Sequence, residues 1–219
     1  MKVTLLAHTT VTNEAEDLLE RQETSTEAEH LLTLAGRNCY KSFHRPSQAT
    51  RDDRDYISRT ILEQKHFSVS EHASATFLIE GVSRDLLGEL ARHRHLSFSV
   101  RSTRFVDESE SAVIDLPEFV DMGWDLVQEV EATALEAYRT GVERLLAKGY
   151  GRKQAREVAR HLLPGGTQTE IVVTGNHRAW YEMLTKRLAP GADVEIQRLS
   201  QELLSHLKKL VPSMYRDLG

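Results

Sequence analysis

Apolar residues recur at three- and four-residue spacing along most of this chain, and only three short stretches read as strands. That imbalance commits the chain to helices packed on a small sheet. KVTLLA (2 to 7), ASATFLI (73 to 79) and TEIVVTG (169 to 175) are the strand-like runs. Helical spacing marks 26 to 40, ending near Gly36, a segment through Tyr56, Ile57, Ile61 and Leu62, and 83 to 91 behind Ser83 as its cap. It also marks 152 to 163, 177 to 188 and 192 to 210. A single long helix is expected from about Met122 to Lys148, stopped by Gly149. No Pro/Gly-rich linker divides the chain. The expected fold is α+β, one domain spanning 1–219, with a mixed β-sheet flanked by helices and a long helical segment.

Charge narrows the partners. The net charge is −5, which argues against general polyanion binding, so a basic-face RNA or DNA binder is the weakest of three functional classes. Cys39 is the one cysteine. No internal disulfide can form, which fits a reducing cytoplasm. Following an apolar helical run and lacking a neighbouring histidine, Cys39 reads as a packing residue. No apolar stretch approaches the ~20 residues of a membrane span, and MKVTLLAHTT reads as a strand rather than a signal peptide. The expected location is cytoplasmic, with no membrane and no nucleic-acid partner.

Against that acidic background, the stretch from Arg84 to Arg104 holds five arginines against Asp85 and Glu89. Arginines also interrupt apolar stripes. Arg187 continues Trp180, Met183 and Leu184; Arg94 continues Leu87, Leu90 and Ala91; Arg152, Arg156 and Arg160 stack beside Ala155, Ala159 and Leu162. A buried guanidinium must find an anion, because an unpaired buried charge costs several kcal/mol. Two readings follow: internal pairs with carboxylates such as Glu157, Glu182 and Glu195, or a shared external anion. Recurrence in separate segments favours the second, and the planar fork of arginine suits phosphate and imide oxygens. The ligand class is a phosphorylated small molecule. No G-x-G-x-x-G and no G-x-x-x-x-G-K-[ST] occurs among the 12 glycines, so side chains and ordinary helix ends must hold it. The 10 histidines show no zinc spacing, and no metal is expected. Glu71 and His72 could form an acid/base pair; a hydrogen-bonded histidine at a strand entry is the simpler reading.

Arg92-His93-Arg94, seven residues, then Ser102 resembles the R-H-R-x7-S signature of the flavin-dependent thymidylate synthases, the ThyX family. HFSVSEHASATF (66 to 77), RKQAREVARHLLP (152 to 164), IVVTGNHRAWYEMLTKRLAPGADVEIQRL (171 to 199) and AGRNCYKS (35 to 42) resemble further family segments in the same order. The resemblance spans roughly residues 1 to 212. It implies reductive methylation of dUMP to dTMP, with 5,10-methylenetetrahydrofolate as carbon donor and NADPH reducing a bound FAD, and tetrahydrofolate as the spent folate. It also implies a homotetramer with active sites between subunits.

Carried over residue by residue, the resemblance places dUMP on Glu89, Arg92, Ser102, Thr103, Arg104, Arg160 and Arg187. Arg187 and Ser102 are the expected catalytic residues, Arg187 lying against the uracil ring and favouring loss of its imide proton. FAD falls to Ser68, Arg92, His93, Arg94, Val100, Asn176, His177, Arg178 and Glu182. The chain departs from the family pattern at Val100, Arg101, Phe105 and Glu182. The alternative to an enzyme is a non-catalytic nucleotide-binding module that keeps dUMP and flavin affinity alone.

Overall fold

The computed structural model describes residues 1–219. In chain order the elements are β1 (Lys2–His8), α1 (Asn13–Leu18), α2 (Glu27–Cys39), α3 (Asp53–Ile57), β2 (Ser74–Ser83), α4 (Arg84–Leu90), β3 (Ser97–Val100), α5 (Phe119–Met122), α6 (Trp124–Ala147), α7 (Arg152–Ala159), β4 (Gln168–Asn176), α8 (His177–Arg187) and α9 (Val194–Leu210). The α+β class stands. The four strands form one sheet in the order β1-β2-β4-β3.

The sheet is antiparallel, not mixed. Its bonds give the direction: His177 N–H donates to the Ala73 carbonyl, and Arg84 N–H to that of Thr167, so β2 and β4 count in opposite senses. Thr9 N–H on Ser74 does the same for β1 and β2. Alternation reveals which face of a strand is buried but says nothing of its direction. Scattered strands separated by long helices lead to the expectation of a mixed sheet; those connections instead carry the chain back antiparallel. The sequence also concealed β3, whose SFSV exposes both serines.

Packing divides the chain into two compact units. One holds residues 1–2, 79–92 and 99–171; the other holds 3–78, 93–98 and 172–219. In the first, Val82, Leu86, Leu90, Ala155, Ala159 and Tyr138 are buried. Ser83 caps α4 as expected, its hydroxyl accepting the Leu86 N–H at 2.9 Å. The expected 122–148 helix is broken at Gly123, whose φ of 103° lies where only glycine is unstrained, so α5 ends there and α6 begins. The helix 152–163 also stops early. It tightens into a 3-10 turn at Arg160–Leu162, leaving Leu162 half exposed rather than on a buried stripe.

The second unit has the denser core. The α8 stripe of Trp180, Met183 and Leu184 is completely buried, as are Ile196, Leu199, Leu203 and Leu207 of α9. Trp180 meets Phe77 edge-on, with ring centroids 5.4 Å apart. Its indole N–H donates to the Ala75 carbonyl at 3.2 Å. A Cβ at Gly175 would collide with the Leu96 side chain and crowd Trp180, so β4 can approach them only with glycine there. Thr26 and Glu29 form a capping box at the start of α2. Cys39, expected to pack, is exposed at the end of that helix.

Candidate nucleotide-binding centres

The first unit gathers two guanidiniums around one pocket of about 320 Å³, lined by Arg84, Thr103, Arg160, His161, Leu163 and Pro164 among others. Local structure explains the convergence. The Ser83 cap starts α4 at Arg84, and the tightened end of α7 presents Arg160, whose Nη1 donates to the Thr103 hydroxyl at 3.3 Å. Arg84 Nη1 is buried and has no hydrogen-bond partner. Burial lowers the Arg84 pKa; Glu108 opposes that, while Arg160 and Arg101 reinforce it. No carboxylate lines the pocket, and none stands within ion-pair distance of Arg160 or Arg84. Two arginines and a hydroxyl around a cavity with no carboxylate in its lining make it a candidate anion site, with Asp85 packed against Gly165 and Glu108 acting on Arg84 as the acids beyond the lining.

Around this pocket, the internal-pair reading accounts for the other arginines. Arg104 pairs with Glu157 at 3.0 Å, Arg101 with fully buried Glu108 at 2.7 Å, and Arg156 with Asp107 at 2.6 Å. Arg92 lies exposed, 3.6 Å from Glu89. Ser102 opens the turn after β3, where its hydroxyl accepts the Arg104 N–H at 3.4 Å. Arg101, one of the departures from the family pattern, thus serves as a tie that also donates to the Gln168 carbonyl at 2.9 Å.

The second unit builds its centre at the start of α8. Asn176 caps that helix, its side-chain oxygen accepting the Ala179 N–H at 2.9 Å. A pocket of about 210 Å³ opens there, lined by Glu71, His95, Asn176, Arg178, Ala179 and Glu182. Arg178 donates from Nη1 to Glu71 at 2.6 Å and from Nε to Glu182 at 3.1 Å. Those two bonds raise its pKa and engage Nη1 and Nε rather than Nη2. Arg187, in the last turn of α8, donates from Nε to His93 Nε2 at 2.9 Å. That bond requires an unprotonated Nε2, which makes the imidazole neutral with its proton on Nδ1.

The expected residues therefore fall into sets. Arg160 and Thr103 share one pocket; Asn176, Arg178 and Glu182 share the other; His93 and Arg187 touch. Glu89, Arg92, Ser102, Arg104, Ser68, Arg94 and Val100 line neither pocket. His177 is turned into the core, its Nδ1 2.8 Å from the Tyr215 hydroxyl. Sequence reasoning passed over Arg84 and His95 as site residues. Arg84 carried a signal, since it follows a cap and so must lie in a first helical turn beside the strand end. His95 carried none beyond its place in the basic stretch.

A family model described as thymidylate synthase complementing protein (Thy1) matches residues 21–213. A probable flavin-dependent thymidylate synthase of Mycobacterium phage D29 is 43% identical over 228 residues, covering 100% of this chain and 96% of the relative. The flavin-dependent thymidylate synthase of Mycobacteroides abscessus is 44% identical over 198 residues, covering 85% of this chain and 78% of the relative. Among solved structures, thymidylate synthase X from Helicobacter pylori, with FAD and dUMP, superposes with a TM-score of 0.69 at 24% identity, covering 99% of this chain and 98% of that one. The UMP/dUMP methylase PolB from Streptomyces cacaoi, bound with 5-Br dUMP, gives 0.71 at 22% identity, with 98% and 93% covered. These two similarities are of fold. With identity above two-fifths sustained along its full length, and the family model matched over residues 21–213, the chain belongs to the flavin-dependent thymidylate synthase family.

Proposed function

We propose that this chain converts dUMP to dTMP, taking the carbon from 5,10-methylenetetrahydrofolate and the reducing electrons from NADPH. The observation that carries the substrate assignment is the Arg84–Thr103–Arg160 pocket, which gathers two arginines and a hydroxyl and has no carboxylate among its lining residues. A nucleoside monophosphate supplies the dianion that this donor set lacks. Arg104, tethered to Glu157, and Ser102 and Glu89 complete the proposed substrate set with Arg92. Arg187 is the proposed catalytic arginine. Placed against the uracil ring, its fixed positive charge lowers the cost of removing the imide proton, and the ionised ring becomes nucleophilic at the carbon that gains the methyl. No enzyme thiol is then needed, and Cys39 sits exposed with its thiol spent on the Ala35 carbonyl at 3.6 Å.

The donor chemistry at the start of α8 fits FAD. Arg178 is the one cation there, held between Glu71 and Glu182, so the pocket suits the hydroxyls and ring amides of the cofactor rather than its pyrophosphate, with His95 and Asn176 as neutral partners. FAD bound there supplies, after reduction by NADPH, the hydride that completes the methyl group. Ser68, Arg92, His93, Arg94, Asn176, Arg178 and Glu182 are the side chains proposed to hold it. Val100 can contribute only its backbone, and His177, being buried, only its main chain. One catalytic domain is proposed, because β2 and β4 run unbroken through both units. A homotetramer with sites between subunits is supported by the apolar residues exposed on α5 and α6: Val120, Met122, Leu126 and Val130.

The visible spectrum of the pure protein tests this reading. A flavin band, bleached by NADPH at a rate that dUMP changes, is expected. Protein that stays colourless after incubation with FAD would refute the assignment.

A further inference from the structure

A second concavity lies on the same face of α8. It has a volume of about 220 Å³ and is lined by Phe67, Tyr181, Glu182, Thr185 and Lys186. None of Phe67, Tyr181, Thr185 or Lys186 belongs to the centres described above, and Glu182 is the wall it shares with the pocket at the start of α8. Its floor is aromatic: the Phe67 and Tyr181 rings stand 5.2 Å apart and tilted by 40°, each partly exposed. Tyr181 is held in place, since its hydroxyl donates to Asp217 at 2.9 Å and its ring lies 6.2 Å from that of Tyr215. A fixed aromatic shelf open to solvent favours a flat, polarisable ring over an alkyl chain.

The charges at this pocket are uneven. Glu182 is engaged by the Arg178 Nε, and Asp217 is engaged by the Tyr181 hydroxyl. The Thr185 hydroxyl donates to the Tyr181 carbonyl at 2.8 Å, which leaves its oxygen free to accept. Lys186 is exposed and makes no ion pair, so its ammonium is the one uncompensated charge beside the shelf.

We propose that this pocket takes a flat heteroaromatic ring joined to an anionic group: the ring stacks on Phe67 and Tyr181, and Lys186 meets the anion. The proposal rests on the function proposed above, which calls for two co-substrates of this chemistry, NADPH and methylenetetrahydrofolate, next to the flavin. The shared Glu182 wall puts the occupant next to the pocket assigned to FAD.

Direct binding tests it independently of turnover. Titration calorimetry with NADP⁺, the form of NADPH that cannot reduce the flavin, and separately with methylenetetrahydrofolate, is run on the wild type, Lys186→Glu and Lys186→Arg. One co-substrate is expected to bind roughly tenfold more weakly to Lys186→Glu, the scale of a lost charge-assisted contact, and to recover in Lys186→Arg. The one that shifts identifies the occupant. Flavin uptake and dUMP affinity should stay within about twofold across the three proteins. Failure of both co-substrates to bind, or equal binding to all three proteins, overturns the proposal. Normal co-substrate binding by a protein that takes up no flavin counts instead against the proposed function.

Discussion

His177 offers the most direct test of how this structure uses a residue that the family signature assigns to flavin. Its ring is fully buried. The Tyr215 hydroxyl reaches the His177 carbonyl at 3.2 Å. Nδ1 lies 2.8 Å from the same oxygen, a contact that either tautomer can make. Nε2 is buried and has no partner. A charged ring carries a proton there with nothing to receive it, and burial, with a smaller contribution from His8, pushes the pKa from 6.5 down to about 3. The unfolded chain takes up this proton near pH 6.5, while the folded chain refuses it until about pH 3. Stability is therefore whole above the unfolded value and falls as the pH drops between the two. The limiting slope is about 1.4 kcal/mol per pH unit, so this one ring costs the native state about 2 kcal/mol between about pH 7 and about pH 5. His177→Asn keeps an amide near Nδ1 and cannot titrate. Urea unfolding at both pH values, at one protein concentration, should show a pH-dependent loss about 2 kcal/mol smaller in the variant. Equal losses in both proteins would refute the buried neutral imidazole.

Three further outcomes are expected. Arg187→Ala should keep fold and bound flavin but lower kcat by about 10²–10³, the scale of a removed contact to developing negative charge; near-normal turnover would remove Arg187 from its proposed role. Gly175→Ala forces a methyl into the Leu96 side chain and should destabilise the protein by about 1–3 kcal/mol, read as a lower thermal midpoint; an unchanged midpoint would mean the β4 approach is looser than drawn. Ser83→Ala removes the acceptor for the Leu86 N–H and should cost about 1 kcal/mol in urea unfolding, with weaker dUMP binding if the cap also sets the direction of Arg84; a stability loss with unchanged dUMP affinity would detach the cap from the site.

The candidate site was legible to different depths. The basic stretch and the α8 stripe ending in Arg187 pointed to an anion, and the motifs along 66–199 pointed to the family. The eventual partner of each arginine was not legible. Arg104 meets Glu157 across 53 positions of sequence and Arg178 meets Glu71 across 107. Nothing local distinguishes those arginines from Arg160, which finds a hydroxyl and no acid. Arg84 looked like one more member of a basic run until burial stripped its Nη1 of solvent.

What the amino-acid order determined alone is whatever depends on neighbours within a turn or two: the Ser83 cap, the stop at Gly149, and the buried Trp180–Met183–Leu184 stripe, all set by the 3.6-residue period and by backbone sterics. Tertiary structure decided the rest. It set the antiparallel sense of the sheet, the break at Gly123, the exposure of Leu162 and Cys39, and the turning of His177 inward. Each of these is settled by groups far away in sequence, because strand pairing and desolvation act through space and leave no local period to read.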